Sequence, residues 1–180
     1  ASPLQLRETI YQCAPYIGFP KTLNAIDIAN GVFEANGISL PLENAGTVDA
    51  TDPSAREQAG AAIQAPLYGN EVKEVFSALP KPFDEFVPHL LTSSAFGDFA
   101  TRGGLDVAQR ELISLVAIAA IGATTQLRPH VAGAIRAGSS RQKVAAALVH
   151  VMPYIGGPYA LSGLVLVARY DESASAEAYR

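Results

Sequence analysis

The hexapeptide Pro15-Tyr16-Ile17-Gly18-Phe19-Pro20 returns late in the chain as Pro153-Tyr154-Ile155-Gly156-Gly157-Pro158, with five of six residues identical. The offset is 138 residues, and at the same offset Leu23 meets Leu161. A match of so many infrequent residue types marks a duplicated structural unit. Its local chemistry is equally restrictive. The glycine stops one helix, and the proline after it opens the next, because the first helical position has no use for an N–H. The chain is therefore expected to hold the same helix–turn–helix element twice. The first copy sits so early that its counterparts of Glu111 and His130 would fall at positions −27 and −8. The expected organisation is one complete unit plus the C-terminal part of a second. That places a partial repeat over 1–37, a linker over 38–68 and a complete domain over 69–180.

The rest of the chain also reads as helices. Residues 4–13 carry an amphipathic pattern that the stretch from Ala14 to Pro20 interrupts. Pro20 opens a helix to about Ala35, with Leu23, Ile26, Ala29, Val32 and Phe33 on one stripe and Gly37 as its stop. Residues 38–68 hold Gly46, Asp52-Pro53, Gly60 and Pro66, so apart from a short helix near 54–64 they read as linker. Helical spacing resumes over about 70–78, 82–100 with a break near Pro88, 107–121, 124–137, 140–151 and 158–170. Asp106 with Gln109, and Ser139 with Gln142, have capping-box spacing, while Gly122 and Gly138 suit helix C-termini. No stretch alternates apolar and polar residues long enough to form a strand. The fold class is all-α.

Composition agrees and removes several functions. Hydrophobic residues make up 49% and 31 of the 180 are alanine, which favours close helix–helix packing. The net charge is −4 and no two basic residues adjoin, which argues against a nucleic-acid or anionic-membrane partner. The uncharged stretch over residues 112–127 is interrupted by Gly122, Thr124, Thr125 and Gln126 and falls short of a membrane span. Cys13 is the single cysteine, so neither a disulfide within the chain nor a C-x-x-C motif can form. A soluble protein of a reducing compartment, by default the cytoplasm, is expected.

One cluster concentrates chemistry. Arg110-Glu111 opens an apolar helix, and Gly122 then leads through Gln126-Leu127-Arg128-Pro129 to His130. If the flanking helices run antiparallel about Gly122, Glu111 lies eleven residues before the turn and His130 eight after it. At 1.5 Å rise per residue their depths differ by roughly 4–5 Å, which two such side chains can span. A carboxylate beside an imidazole in an apolar interface is a proton-transfer pair. The alternative is structural: a first-turn Glu serving the helix dipole and a packed His. His150 precedes the second proline-glycine break, where its counterpart is Gln12; it reads as a satisfied helix-terminal His, the alternative being a hydrogen-bonding role shared by both copies. Arg128, Arg102 and Arg110 are candidate clamps for an anionic substrate, Arg128 foremost for its nearness to His130. The turn at Tyr154 serves either as a ligand loop or as a packed connection. Cys13 falls in an apolar register, and His89, His130 and His150 lack metal-site spacing.

Taken together, Arg110-Glu111-Leu112-Ile113, the apolar run to Gly122-Ala123, and Gln126-Leu127-Arg128-Pro129-His130 resemble the signature of the carboxymuconolactone decarboxylase family. The segment from Tyr154 to Leu161 resembles that domain's closing motif, as does the segment from Tyr16 to Ala25. Residues 93–105, with Phe96-Gly97-Asp98-Phe99 and Arg102, are similar to the part just upstream. The resemblance covers about 70–170 as a full domain and about 4–36 as a partial one. It implies an alkylhydroperoxidase D-like helical fold and, since family members form rings, a homo-oligomer, trimer or hexamer.

The resemblance also divides the possible chemistry. In the redox branch of the superfamily two cysteines relay protons with a following His, and here their positions hold Ala123 and Gln126. Neither can become a thiolate, which removes thiol peroxidase activity. The other branch converts 4-carboxymuconolactone to an enol-lactone without a cofactor, in aromatic-acid catabolism. It implies Glu111 and His130 as catalytic residues, with Arg128, Arg102, Tyr154 and His150 toward the substrate, a dicarboxylate lactone. Two other readings use the same residues: acid–base chemistry on a related lactone, or a non-catalytic scaffold or small-molecule binder that kept the fold.

Overall fold

A computed structural model describes residues 1–171 of the chain, and every regular element among them is helical. In chain order these are α1 (Pro3–Ile17), α2 (Phe19–Ala35), α3 (Pro53–Tyr68), α4 (Glu71–Phe76) and α5 (Phe83–Leu91). A π-helical segment, Thr92–Ala100, continues directly from α5. Then follow α6 (Val107–Ala120), α7 (Thr124–Arg136), α8 (Arg141–Ile155) and α9 (Gly157–Ala168).

The duplication is visible in the backbone. Helix α8 begins and ends 138 residues after α1, and each starts on a serine N-cap, Ser2 or Ser140. Each hairpin turns on a glycine with φ, ψ of 81°, 157° at Gly18 and 90°, 149° at Gly156. That region is closed to side chains carrying a Cβ. Both first helices run through their prolines, Pro15 and Pro153, instead of stopping ahead of them. Each proline lies within the last turn, and the break falls on the glycine that follows. The second cap is Ser140, not Ser139: Ser140 accepts from the Lys143 N–H, whereas Ser139 is buried.

Helix α6 is the axis of the fold. Its capping box, Asp106 with Gln109, and its glycine stop at Gly122, φ 71°, hold both ends as the sequence predicts. Leu115, Ile118 and Ala119 on α6 pack with Leu127, Val131 and Ala134 of α7, Val144 and Leu148 of α8 and Val167 of α9. The α1–α2 hairpin lies against α6 through α1. On α9, a Cβ at Gly163 would stand 2.9 Å from the Leu148 side chain, so the second hairpin closes on a missing methyl.

The second half of the region read as linker is helical. Helix α3 spans sixteen residues and packs along the π-helical segment, with Leu67, Tyr68, Phe96 and Ala100 forming a second core. The two backbones come so close that a Cβ on Gly60 would sit 2.2 Å from the Thr92 carbonyl oxygen. On the opposing side a Cβ on Gly97 would sit 2.3 Å from the Arg56 carbonyl oxygen. Gly60, which reads as a helix breaker, is the residue that admits this approach. Among the described residues, no helix is long and apolar enough to cross a membrane.

Candidate active site

Glu111 is buried in the second turn of α6, and His130 stands on α7 with 13% of its side chain exposed. The Gly122 turn brings them together, with His130 Nδ1 3.3 Å from Glu111 Oε2. A third side chain completes the contact. The Tyr68 hydroxyl, from the last residue of α3, donates to Glu111 Oε2 at 2.5 Å and lies 2.9 Å from His130 Nδ1. The imidazole's hydrogen bonds thus converge on Nδ1, which leaves Nε2 as the nitrogen a substrate would meet.

Two tyrosine rings enclose the imidazole edge-on. Tyr68 lies at 5.4 Å between centroids and 62°, and Tyr16 of α1 at 5.6 Å and 86°. The Tyr16 ring is part-exposed, but its hydroxyl end is enclosed beside Ser114. Burial, reinforced by the nearby Glu111 carboxylate, pushes the Tyr16 phenol well above its ordinary range against a hydrogen bond with Ser114. It stays neutral. Burial likewise raises the Cys13 thiol, one turn earlier on α1, so that sulfur is a packing atom and not a nucleophile.

A buried polar chain ties α1 to α6 behind this site. Gln12 donates to Ser114 Oγ at 3.1 Å and accepts from Arg110 at 3.0 Å. Arg110 also donates to Glu8 at 3.4 Å and to the carbonyls of Arg102 and Gly103 at 2.7 and 2.9 Å. Arg102 grips Glu8 with two bonds, at 2.8 and 2.9 Å, and Arg7 adds a third partner at 3.1 Å. Burial alone would raise the Glu8 carboxyl. The hydrogen bonds and charges of Arg102, Arg7 and Arg110 outweigh it and hold the group below the ordinary carboxylate range.

The other residues singled out in the sequence do not gather at the pair. The Arg102 guanidinium is engaged by Glu8 of its own chain, so it is a structural cation in this fold. Arg110 is buried in the same cluster. Arg128 is exposed on α7, two residues from His130 and so about 200° round the helix from it. Tyr154 is 82% exposed, and His150 is exposed one turn before it on α8. The residues that do gather, Tyr68 and Tyr16, lay in stretches read as linker and as partial repeat. The only sequence signal for Tyr68 is a helix ending in Tyr68-Gly69. For Tyr16 it is the duplicated motif itself.

Residues 87–169, from late α5 to the end of α9, match the carboxymuconolactone decarboxylase family. The chain is also similar to the nitrosuccinic acid decarboxylase npaB of Metarhizium robertsii, 28% identical over 110 residues. That stretch covers 61% of this chain and 77% of the relative. Family and relative together support a decarboxylase-like role for the domain. Glu111 and His130 lie inside the matched range, whereas Tyr68 and Tyr16 lie outside it and reach the same imidazole.

Proposed function

We propose that the protein is a cofactor-independent carboxy-lyase resembling 4-carboxymuconolactone decarboxylase, with Glu111 and His130 as its acid–base pair. The observation that supports this most directly is the enclosed carboxylate–imidazole contact, which ties Nδ1 and turns Nε2 toward an approaching substrate. The family's substrate and the relative's share one feature. 4-Carboxymuconolactone carries the departing carboxylate on the γ-carbon of an unsaturated lactone. Nitrosuccinic acid carries one on the carbon bearing a nitro group. In both, the electron pair of the breaking C–C bond has an oxygen acceptor within the substrate. The enzyme then has two tasks: keep the carboxylate poorly solvated, and return one proton to carbon after CO2 leaves.

In this scheme the protonated His130 gives its Nε2 proton to the dienolate carbon, and Glu111 balances the charge of the imidazolium beforehand. Arg128 is in no ion pair among the described residues but lies about 200° round α7 from His130, so any hold it has on the substrate's remaining carboxylate is that of one subunit on the next subunit's site. Tyr154 and His150 are exposed on α8. Any part they take in binding goes with a homo-oligomer, trimer or hexamer, in which one subunit's α8 faces the next subunit's site. The test is turnover of 4-carboxymuconolactone and of 2-nitrosuccinate by the purified protein, followed as CO2 release. His130→Gln and Glu111→Gln should each lower kcat by about 100-fold or more, the usual weight of a positioned acid. Arg128→Gln should raise KM with little change in kcat. Full turnover by His130→Gln removes the assignment. Absence of turnover on either substrate leaves the binder reading in its place.

A further inference from the structure

We propose that Tyr68 is a positioning residue which couples Glu111 to His130, and that Gly133 is the vacancy that lets it do so. The proposal rests on the Glu111/His130 reading of the site and extends it to a segment outside the family domain. A phenol hydroxyl has one proton to give. At 2.5 Å from Glu111 Oε2 that proton goes to the carboxylate, so the phenol oxygen accepts from His130 Nδ1–H at 2.9 Å. The order is imidazole N–H to phenol oxygen, then phenol O–H to carboxylate. Nδ1 thereby keeps its hydrogen in both charge states of the ring, and the exchangeable proton belongs to Nε2.

The backbone around Tyr68 is arranged to deliver that hydroxyl. Helix α3 docks on the π-helical segment through Gly60 and Gly97, and the Phe96 ring meets Tyr68 at 5.8 Å. Arg136 of α7 donates to the Leu67 carbonyl at 2.7 Å, which ties the end of α3 to the helix carrying His130. One turn beyond His130 on α7, Gly133 faces the same side. A Cβ there would lie 2.5 Å from the Tyr68 hydroxyl oxygen and 2.9 Å from Glu111 Oε2. No side chain larger than hydrogen leaves room for this bridge.

Two variants of the full chain test the inference, each with two readouts. Tyr68→Phe keeps the ring and its contact with Phe96 but removes the hydroxyl. Gly133→Ala keeps the hydroxyl and displaces it. In the substrate-free protein, the 15N and 1H resonances of the His130 Nδ1–H group should shift in both variants, because one acceptor is lost or moved. With substrate, kcat should fall about 10- to 100-fold while KM stays within about twofold. Tyr68→Phe with wild-type Nδ1–H resonances and wild-type kcat overturns the proposal. Because the resonances need no substrate, a protein that decarboxylates nothing but shows the shift retains the bridge and loses only the functional reading.

Discussion

The two hairpins related by 138 residues share serine N-caps, the length of their first helix and turn glycines, yet their equivalent side chains meet opposite fates. Tyr16 closes over His130, whereas Tyr154 is 82% exposed. Gln12 is buried between Arg110 and Ser114, and its counterpart His150 is exposed. Glu8 sits in a nest of three guanidiniums where the second copy has Ala146. Backbone duplication thus fixed the hairpin but not its use. The first copy's hairpin supplies one wall of the complete unit's site. Glu8 and Gln12, which bind it there, are among the many residues that differ between the copies. The hairpin itself does not need them, since α8–α9 folds without them.

The strongest way to break this asymmetry is to remove the carboxylate that holds α1. Glu8→Ala leaves three cations facing each other in a buried space, and should destabilise the protein by about 3–5 kcal/mol. Urea unfolding measures this. The sign with pH follows from the lowered carboxyl. The folded group titrates below the unfolded one, so its stabilisation is complete above the unfolded value, near pH 4–5. It is lost as pH falls through the folded value. Wild type should therefore lose stability steeply below about pH 4.5, and Glu8→Gln should flatten that slope while lowering the plateau. A plateau unchanged by Glu8→Ala contradicts the view that charge anchors this hairpin.

A paired aromatic deletion comes next. Tyr16→Ala should cost about 2–3 kcal/mol, less than a fully buried aromatic because the ring is part-exposed. It should also lower kcat, since the wall of the imidazole goes with it. Tyr154→Ala should fall within about 0.5 kcal/mol on the monomer. If Tyr154→Ala proves as costly as Tyr16→Ala, its exposed ring is covered in the assembled protein, and stability should then depend on protein concentration. The corresponding polar pair is Gln12→Ala against His150→Ala. The first removes one partner each from the buried Arg110 and Ser114 and should cost about 1–2 kcal/mol; the second should be close to neutral.

What the sequence made legible was local or periodic. The Asp106–Gln109 capping box, the turn glycines Gly122 and Gly138, and the duplicated hairpin each sit within a few residues of what they determine. The approach of Glu111 to His130 needed one tight turn and a rise per residue. The rest depended on contacts across long separations. Gly60 and Pro66 look like breakers, and only the π-helical segment 30 to 40 residues later shows why a helix persists to Tyr68. Arg102 reads as a free cation until Glu8, 94 residues earlier, is found to hold it. Tyr68 carries no motif, so its place at the pair follows from docking of α3 on the π-helical segment and from the empty Cβ position at Gly133.

The smallest expected difference between the copies is at their turn glycines, and it tests whether the duplication survives as shared energetics. Gly18 and Gly156 both have positive φ with extended ψ, a conformation essentially reserved for glycine. Neither is crowded. A Cβ on Gly18 would come no nearer than 3.8 Å to the Pro20 ring, and one on Gly156 would meet nothing within 4 Å. Backbone strain is then the whole penalty, about 1–3 kcal/mol for either alanine. The two values should agree within about 0.5 kcal/mol, the usual scatter for independent sites. Equal losses on urea unfolding mean that the turn keeps the same energetics in both copies although α1 and α8 have diverged. A clearly larger loss at Gly18 means that the geometry of this turn is also what holds Tyr16 against His130, and kcat of Gly18→Ala should then fall with its stability.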